Sequence, residues 1–385
     1  MRLLFINYEF PPVGGGASFA SMAMASEMAK LGHHIGFLTA ANGHTAGSEE
    51  GVHGIQVHRV PASRRGVHDA GMLGALSFIS AAAMRLPQIM RHGDYDACHY
   101  YFGLPTGLLS RLPGPHRNKP YVISLRGSDV PGYEPALALW HKILLPVTRR
   151  IWSGAHRVVA NSDDLRKLAL ATAPAQAIDV IHNGIDIVGS PRPARQPHDG
   201  VRILTVSRLI ERKGIDTLIE AVGALRSEPI SLDIAGEGPW RAHLEQLARS
   251  QGIGDRVRFH GFVEHERLAS LYSQSDIFVL SSRAESCSMA LLEAMGAGLA
   301  IIATRAGGTP ELIEHERCGL LTRTGDAVEL AAAISQLVRD PRRRATFAAA
   351  SLQRANEQFS WLRAARRYEA IFQDAVERSA GRRPT

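Results

Sequence analysis

The chain has 385 residues, 45% of them hydrophobic and 21% charged, which indicates a globular protein of two domains because single cores stop growing at roughly 250 to 300 residues. The net charge is +7, and both halves share the basic excess, with 17 basic and 13 acidic residues before Ile187 and 27 and 24 from there on. Because neither half is a basic arm, we discount a nucleic-acid partner.

The first half predicts strands that alternate with helices. It opens with an apolar run at residues 2–7, a Pro/Gly-rich turn, and helical apolar spacing over 17–31. Further short apolar runs lie at 35–38, 55–60, 97–100, 121–125, 158–160 and 179–181. This alternation is typical of an α/β domain with a doubly wound parallel sheet, here assigned to residues 1–186.

The same pattern starts again after a proline-rich stretch. Residues 187–200 contain three prolines and no periodicity, which predicts a linker. A second domain of the same kind follows over 201–358, with strands at 201–206, 231–235, 257–259, 277–280 and 299–303. The amphipathic stretch 359–385, which carries Trp361, Tyr368, Ile371 and Phe372, is expected to cross back to the first domain.

Three glycines, Gly14, Gly15 and Gly16, follow the first strand and precede a helix. Without side chains, their backbone N–H groups can approach an anion at the helix N-terminus, and a diphosphate would fit there. A tight turn without a ligand is an equal alternative. The segment is neither a Walker loop nor a complete G-x-G-x-x-G fingerprint.

Two further motifs follow strands of the second domain. In SRLIERKG, Arg208 and Lys213 could neutralise the charge of a departing nucleoside diphosphate, although a solvated basic turn is the simpler explanation. In RAESCSMALLEAMGAG, Glu285 lies in a loop and Glu293 in the helix that follows. Carboxylates accept hydrogen bonds from sugar hydroxyls, and the alternative is a capping acid and a surface acid.

The chain resembles the retaining glycosyltransferases of family 4, which have the GT-B fold. The segments PPVGGGA, SRLIERKG, IAGEGP, FHGFV, ESCSMALLE and GAGLAIIATRAGGTPELI occur in family order and cover nearly the whole chain. The resemblance implies two Rossmann-like domains that face each other across a cleft. It also implies transfer of a sugar from a nucleoside-diphosphate sugar, UDP-sugar favoured, to an acceptor hydroxyl in polysaccharide, glycolipid or glycoside biosynthesis.

The resemblance also assigns roles to individual residues. Arg208, Lys213 and Glu285 would be catalytic, with the two cations gripping the donor diphosphate from across the cleft and Glu285 holding the sugar hydroxyls. The remaining donor-binding positions would be Gly15 and Gly16 at the diphosphate, Glu293 at the ribose, the backbone around Val263 at the base, and the helix start at Ser286, Cys287, Ser288 and Met289. Gly236-Glu237-Gly238 would be a turn in the pocket wall, or only a turn.

One departure from the family lies in ISLRGSDVPGY, where Arg126 replaces a histidine that many members carry near the reacting sugar. Arg126 is a candidate contact for the donor or an anionic acceptor, with Asp129 orienting it, and a structural Arg–Asp pair is equally compatible. His99 is a candidate for the acceptor side, although a lone histidine is more often structural. Asn183, in the turn ahead of the linker, is expected to shape the hinge.

No cofactor or metal is expected, since the histidines show no metal-ligand spacing. The widely spaced cysteines Cys98, Cys287 and Cys318 favour the cytoplasm, and the N-terminus reads as a strand. Residues 71–84 are the nearest approach to a membrane span and are too short. Arg64-Arg65 and Arg149-Arg150 leave peripheral contact with the inner membrane face open. A non-catalytic nucleotide-sugar-binding protein and a sugar phosphorylase are the alternatives.

Overall fold

The computed structural model describes residues 1–11, 14–41, 46–63, 71–186 and 199–381, apart from the side chains of Met72, His265 and Glu266. The chain forms two compact units, one of Met1–Asn183 together with the segment from Trp361 onward, and one of Gly184–Ser360. Arg64, Arg65 and most of the predicted linker lie outside the described residues.

Eight strands build the sheet of the first unit within the described residues. They are β1 (Arg2–Ile6), β2 (His34–Ala40), β3 (Gly47–Glu50), β4 (Gln56–Val60), β5 (Ala97–Tyr101), β6 (Tyr121–Leu125), β7 (Arg157–Ala160) and β8 (Ile178–Val180). Their order is β3-β4-β2-β1-β5-β6-β7-β8, and neighbours are parallel except β3 and β4. The predicted parallel sheet is therefore confirmed apart from β3, a polar edge strand whose four residues are all exposed.

Helices cover both faces of this sheet. The early helices are α1 (Gly16–Lys30), α2 (Gly71–Gly93), α3 (Ala138–Ser153) and α4 (Asp163–Thr172). Buried residues of α2, α3 and α4 share one core with strands β1, β2 and β5, as the contacts of Phe78, Trp152 and Leu165 show. Burial on both faces explains why the strands are short continuous apolar runs rather than alternating ones.

Helix α2 is longer than the apolar stretch 71–84 suggested. Among the described residues, Leu73–Gly93 is the one stretch long and apolar enough to cross a membrane by length and composition, although Arg85 and Arg91 interrupt its apolar run. One side of α2 packs Phe78, Leu86 and Ile89 into the core of the first unit, whereas only 33% of the tested window is buried, and a single such helix does not establish a span. The test is therefore weak evidence for a span.

The second unit contains a six-stranded sheet within the described residues. Its strands are β9 (Val201–Val206), β10 (Ile230–Ala235), β11 (Val257–Gly261), β12 (Ile277–Leu280), β13 (Ala300–Thr304) and β14 (Leu320–Thr322). All pairs are parallel, in the order β11-β10-β9-β12-β13-β14. The flanking helices are α5 (Ile215–Ala224), α6 (Arg241–Ser250), α7 (His265–Gln274), α8 (Met289–Gly296), α9 (Thr309–Leu312), α10 (Ala327–Arg339) and α11 (Pro341–Gln358).

The last helix, α12 (Trp361–Ala380), belongs to the first unit although it follows the second in sequence. Its buried face includes Trp361, Tyr368 and Phe372, whereas Ile371 is only partly buried. Phe372 stacks on Phe5 of β1 with ring centroids 6.4 Å apart. Thus α12, together with α1, covers the sheet face opposite to α2.

Candidate functional site

The sequence-predicted motifs of the second unit meet at the carboxyl edge of its sheet. Strand β9 lies between β10 and β12, so the chain leaves β9 toward one side of the sheet and later returns to fill the other side. Ligands of open α/β sheets bind outside the strand ends at such a switch point. The loops that follow β9 and β12 carry Lys213 and Glu285.

These two side chains form a largely buried ion pair. The Lys213 Nζ donates to Glu285 Oε2 at 2.6 Å, and the two side chains are only 14% and 11% exposed. The Ser282 hydroxyl donates to the same carboxylate oxygen at 3.1 Å. Burial alone would raise the pKa of Glu285, but the charges of Lys213 and Arg212 and the two hydrogen bonds hold it below its usual value. Glu285 is therefore an ionised acceptor at neutral pH.

The backbone around the pair is locked between the two loops. Gly214, directly after Lys213, has a φ of +61°, and a Cβ atom there would lie 2.1 Å from the carbonyl oxygen of Ser281. The Ser281 hydroxyl donates to the Lys213 carbonyl at 3.0 Å. The guanidinium of Arg283 donates to Asp216 Oδ2 at 2.6 Å. Only glycine allows this approach, so Gly214 fixes the position of Lys213.

Arg208 lies on the same edge, in the loop that leaves β9. Its side chain is exposed, and within the described part of the chain its guanidinium has no hydrogen-bond or ion-pair partner. The neighbouring Leu209 N–H donates to the carbonyl of Glu237 at 2.9 Å. Arg208 is therefore a solvent-facing cation held on an ordered loop.

The turn Gly236-Glu237-Gly238 supports the Arg208 loop. Gly236 has a φ of +141°, and a Cβ atom there would lie 1.8 Å from the Ser207 carbonyl oxygen. A Cβ atom at Gly238 would lie 2.3 Å from the carbonyl oxygen of Leu209. Both glycines are thus required by the close packing of two loops, which is a structural reason for the motif.

The start of α8 brings the remaining donor-site candidates to this edge. Ser286, Cys287 and Ser288 are buried in the loop after β12, and Met289 is the first residue of the helix. The Ser288 hydroxyl caps the helix by accepting from the Leu291 N–H at 3.3 Å. The aligned N–H groups of a helix start carry partial positive charge, which suits an anion.

Glu293 and Val263 complete the predicted set in this unit. Glu293 lies in α8 and accepts a hydrogen bond from the Tyr272 hydroxyl at 2.9 Å. Sequence reasoning did not find Tyr272, because nothing in the spacing of α7 links it to a carboxylate in α8. Val263 lies two residues beyond β11 and is half-buried. Their predicted contacts with ribose and base stay predictions.

In the first unit, Gly14, Gly15 and Gly16 form the turn between β1 and α1. Gly14 has a φ of +100°, and a Cβ atom there would lie 2.7 Å from the Cβ atoms of Glu9 and Ser18. Gly15 precedes the helix, and a Cβ atom there would meet nothing within 4 Å. The tight turn therefore explains Gly14, whereas packing does not explain Gly15. That Gly15 and Gly16 face Arg208 and Lys213 across a cleft remains a prediction.

Arg126 lies in the loop after β6. Its Nη1 atom donates to Asn183 Oδ1 at 2.7 Å, and its guanidinium carbon lies 4.7 Å from the ring centroid of Tyr101. Asp129 instead accepts from the backbone N–H groups of Gly103 at 2.7 Å and Arg126 at 2.8 Å. Asp129 thus contacts Arg126 through the backbone, and its orientation of the Arg126 side chain stays a prediction. Asp129 joins two loops through their backbones, and Asn183 holds the guanidinium.

His99 is fully buried between the sheet and α12. Its Nε2 atom lies 2.7 Å from the Ser124 hydroxyl, and the rings of Phe5 and Tyr368 pack around it at 4.7 and 4.9 Å. Burial, aided by the charge of Arg126, lowers its pKa well below the usual value. The prediction that His99 lines an acceptor surface is wrong in this structure, because His99 lies in the middle of β5 and α12 covers it.

The described residues contain no group of three His, Cys, Asp or Glu side chains placed to hold a metal ion. None of the three cysteines, all of which are described, forms a disulfide. The need for a metal stays untested by this observation.

Comparison with solved structures defines the class of protein. The chain matches a sucrose-phosphate synthase from Thermosynechococcus elongatus with a TM-score of 0.85 and 22% identity, covering 98% of this chain and 100% of the other. It matches Anabaena HepE in complex with UDP-glucose with a TM-score of 0.74 and 22% identity, covering 97% and 100%. The fold is that of the GT-B glycosyltransferases.

Sequence comparison then gives the family. The family model "Glycosyltransferase Family 4" matches residues 14–188, and "Glycosyl transferases group 1" matches residues 190–354. A GDP-mannose-dependent alpha-(1-6)-phosphatidylinositol monomannoside mannosyltransferase of Mycobacterium tuberculosis is 26% identical over 94% of this chain and 95% of its own. The chain belongs to glycosyltransferase family 4, which confirms the resemblance found in its motifs.

Proposed function

We propose that this glycosyltransferase moves a sugar from a nucleoside-diphosphate sugar, with UDP-sugar favoured, to an acceptor hydroxyl with retention of anomeric configuration. The bond from the anomeric carbon to the diphosphate oxygen breaks, and its electron pair stays on the nucleoside diphosphate. The acceptor oxygen bonds to the same carbon, and its hydroxyl proton passes to the departing diphosphate or to solvent. Negative charge therefore develops on the diphosphate, which is where positive protein groups accelerate the reaction.

The observation that carries the proposal is the Lys213–Glu285 pair at the switch point of the second sheet. An ammonium has three donors, so Lys213 can keep its bond to Glu285 and still donate to a phosphate oxygen. The Glu285 carboxylate keeps lone pairs for sugar hydroxyls. Exposed Arg208 adds a second cation on the same edge. In this proposal, Lys213, which stabilises the leaving diphosphate, lies next to Glu285, which binds the sugar.

The other assignments follow the family motifs. Glu293 would hold the ribose, and the backbone around Val263 would contact the base. The start of α8, at Ser286, Cys287, Ser288 and Met289, would approach the donor, and Gly15 and Gly16 would approach the diphosphate. Open space beside Gly15 supports its assignment. For Arg126, we propose contact with the donor or an anionic acceptor, in the place where many relatives have histidine.

A thermal-shift screen of UDP-, GDP- and ADP-sugars tests the donor, since a ligand that binds only the folded protein raises the melting temperature. We expect the UDP-sugars to give the largest shift. The name of the mycobacterial relative specifies GDP-mannose, so a selective shift with GDP-sugars would overturn the choice of base while leaving the transferase proposal intact. No shift with any of them would overturn both.

Turnover tests the chemistry. With the donor identified, we expect a product whose anomeric configuration, measured by NMR, equals that of the donor, and inversion would contradict retention.

Glu285→Gln and Lys213→Met should each lower kcat by about 100-fold or more, as removal of a transition-state contact does. Arg342→Gln, at an exposed position on α11, is the control. Phosphate-dependent turnover would identify a phosphorylase, and binding without turnover would identify a non-catalytic protein.

We place the reaction in the cytoplasm, which the three cysteines without disulfides support. The acceptor classes are a polysaccharide, a glycolipid or a small glycoside. The donor-site candidates occupy the carboxyl edge of the second sheet, so the first domain would bind the acceptor.

A further inference from the structure

Helix α3 of the first unit exposes large apolar side chains. Leu139 is 67% exposed, Trp140 44%, Ile143 58% and Val147 36%. Most surface helices of globular proteins show charged or polar residues on their outer side. These four residues, called here the α3 apolar face, therefore need a separate explanation.

The α3 apolar face is distinct from the side of the helix that packs on the domain. His141, Thr148 and Trp152 are buried and mark the inner side. At 3.6 residues per turn, Leu139 and Ile143 are one turn apart on the opposite side of the helix. The helix thus carries large apolar side chains on its outer side as well as Ile151 and Trp152 on its inner side, and core packing accounts only for the inner ones.

Basic residues accompany this face. Lys142, Arg149 and Arg150 lie within α3 and are exposed, and residues 135–154 contain no Asp or Glu. The Arg149 Nε atom donates to the Thr172 carbonyl at 2.9 Å, which fixes that side chain beside the helix. By helical angle, Lys142 and Arg149 border one side of the apolar face, and Arg150 lies at its C-terminal end. The outer surface of α3 therefore combines apolar area with positive charge.

We propose that the outer side of α3 docks on a bilayer surface that contains anionic lipids. A helix of this composition lies in the plane of the interface, with its apolar side chains below the headgroups and its cations among them. Tryptophan is favoured at that depth, which suits Trp140. Lysine is depleted from the cores of protein interfaces, so Lys142 beside Ile143 favours a lipid partner over a protein partner. The proposal does not depend on the donor or the reaction.

Flotation of the purified full chain with lipid vesicles tests the proposal. Binding is expected to vesicles of phosphatidylglycerol and phosphatidylcholine, to be much weaker with phosphatidylcholine alone, and to weaken as salt screens the charges. Lys142→Gln with Arg150→Gln should lower vesicle affinity by about 30-fold. Leu139→Ser with Ile143→Ser should lower it by about 100-fold, since two large apolar side chains no longer enter the membrane.

Matched controls separate docking from general effects. Arg226→Gln with Arg342→Gln removes the same charge from exposed positions of the second unit, and Val328→Ser with Leu362→Ser removes exposed apolar side chains elsewhere. Both controls should bind vesicles like the unchanged protein, and all four variants should keep its melting temperature.

Two results would overturn the proposal. One is that the unchanged protein does not float with the anionic vesicles, or that the variant with Leu139→Ser and Ile143→Ser floats as well as the unchanged protein. The other is a dimer in sedimentation that this double variant converts to a monomer while vesicle binding is absent. That outcome would assign the face to a second copy of the chain.

Discussion

Lys213 and Glu285 lie next to each other in space but 72 positions apart in sequence. Removing one partner of a buried pair leaves the other charge uncompensated, which typically costs about 3–5 kcal/mol. Every single substitution in the pair carries this cost, so its melting temperature must be measured beside kcat, and Glu285→Gln and Lys213→Met avoid the additional cavity that alanine would leave. The structure thus changes which substitution tests the role of each residue.

The coupling of this pair should depend on pH. The pKa of Glu285 is lowered from an ordinary value of 4.5, so the folded state holds its proton less tightly than the unfolded state. The pair's contribution to the free energy of unfolding should be fully present above about pH 4.5 and be lost as the pH falls through the lower folded pKa. A double-mutant cycle with Glu285→Gln and Lys213→Met, followed by urea unfolding at several pH values, measures it. A coupling that grows toward acid pH would contradict the assignment.

Gly214 and Gly325 offer a matched pair for backbone strain. Both have positive φ, +61° and +72°, but a Cβ atom would lie 2.1 Å from the Ser281 oxygen at Gly214 and meet nothing within 4 Å at Gly325. Gly325→Ala should cost about 1–2 kcal/mol from the left-handed backbone alone. Gly214→Ala should cost about 1–3 kcal/mol more because a loop must move. Equal losses in urea unfolding would show that the contact is relieved without cost.

At this scale the motifs placed Lys213 and Glu285 on one sheet edge but did not reveal the contacts of the other candidates, and the roles of all of them stay predictions. Lys213 and Glu285 were found because each follows an apolar strand, and the carboxyl ends of parallel strands share one edge. The partner of Arg126 was not found, because Asn183 lies 57 positions away and no local spacing connects them. His99 was also predicted to lie at a strand end, but β5 continues to Tyr101, and α12, which is distant in sequence, covers His99.

Among the elements, α12 makes the sharpest stability prediction. Phe372 is fully buried against Phe5, whereas Leu362 on the same helix is 50% exposed. Phe372→Ala should lower the free energy of unfolding by about 3–5 kcal/mol, and Leu362→Ala by less than about 1 kcal/mol. Urea unfolding followed by tryptophan fluorescence compares them. Similar losses would mean that α12 contributes little to the first core.

Strands buried on both faces were the most predictable elements. Strands β6, β9 and β12 agree with the predicted ranges residue for residue, because short apolar runs between turns have few alternatives. The edge strand β3 could not be predicted, since its sequence GSEE has neither alternation nor apolar residues. It forms a strand because it pairs with β4, and the local sequence does not predict that pairing.

For the whole molecule, we predict transfer that does not require a divalent ion. In the proposed mechanism, Arg208 and Lys213 would supply positive charge where the diphosphate leaves, work that a metal performs in other enzymes. Product formation in excess EDTA should match that without chelator, with Glu285→Gln as the inactive reference. Activity that EDTA abolishes and magnesium or manganese restores would contradict this prediction.

The position of α12 also bears on the order of synthesis. The second unit, Gly184–Ser360, is complete in sequence before the ribosome makes Trp361, whereas the first unit lacks α12 until the final residues emerge. The growing chain therefore carries an unfinished amino-terminal half, with the face around Phe5 uncovered, while its later half is ready to fold. This reverses the usual amino-to-carboxyl order of domain completion during translation.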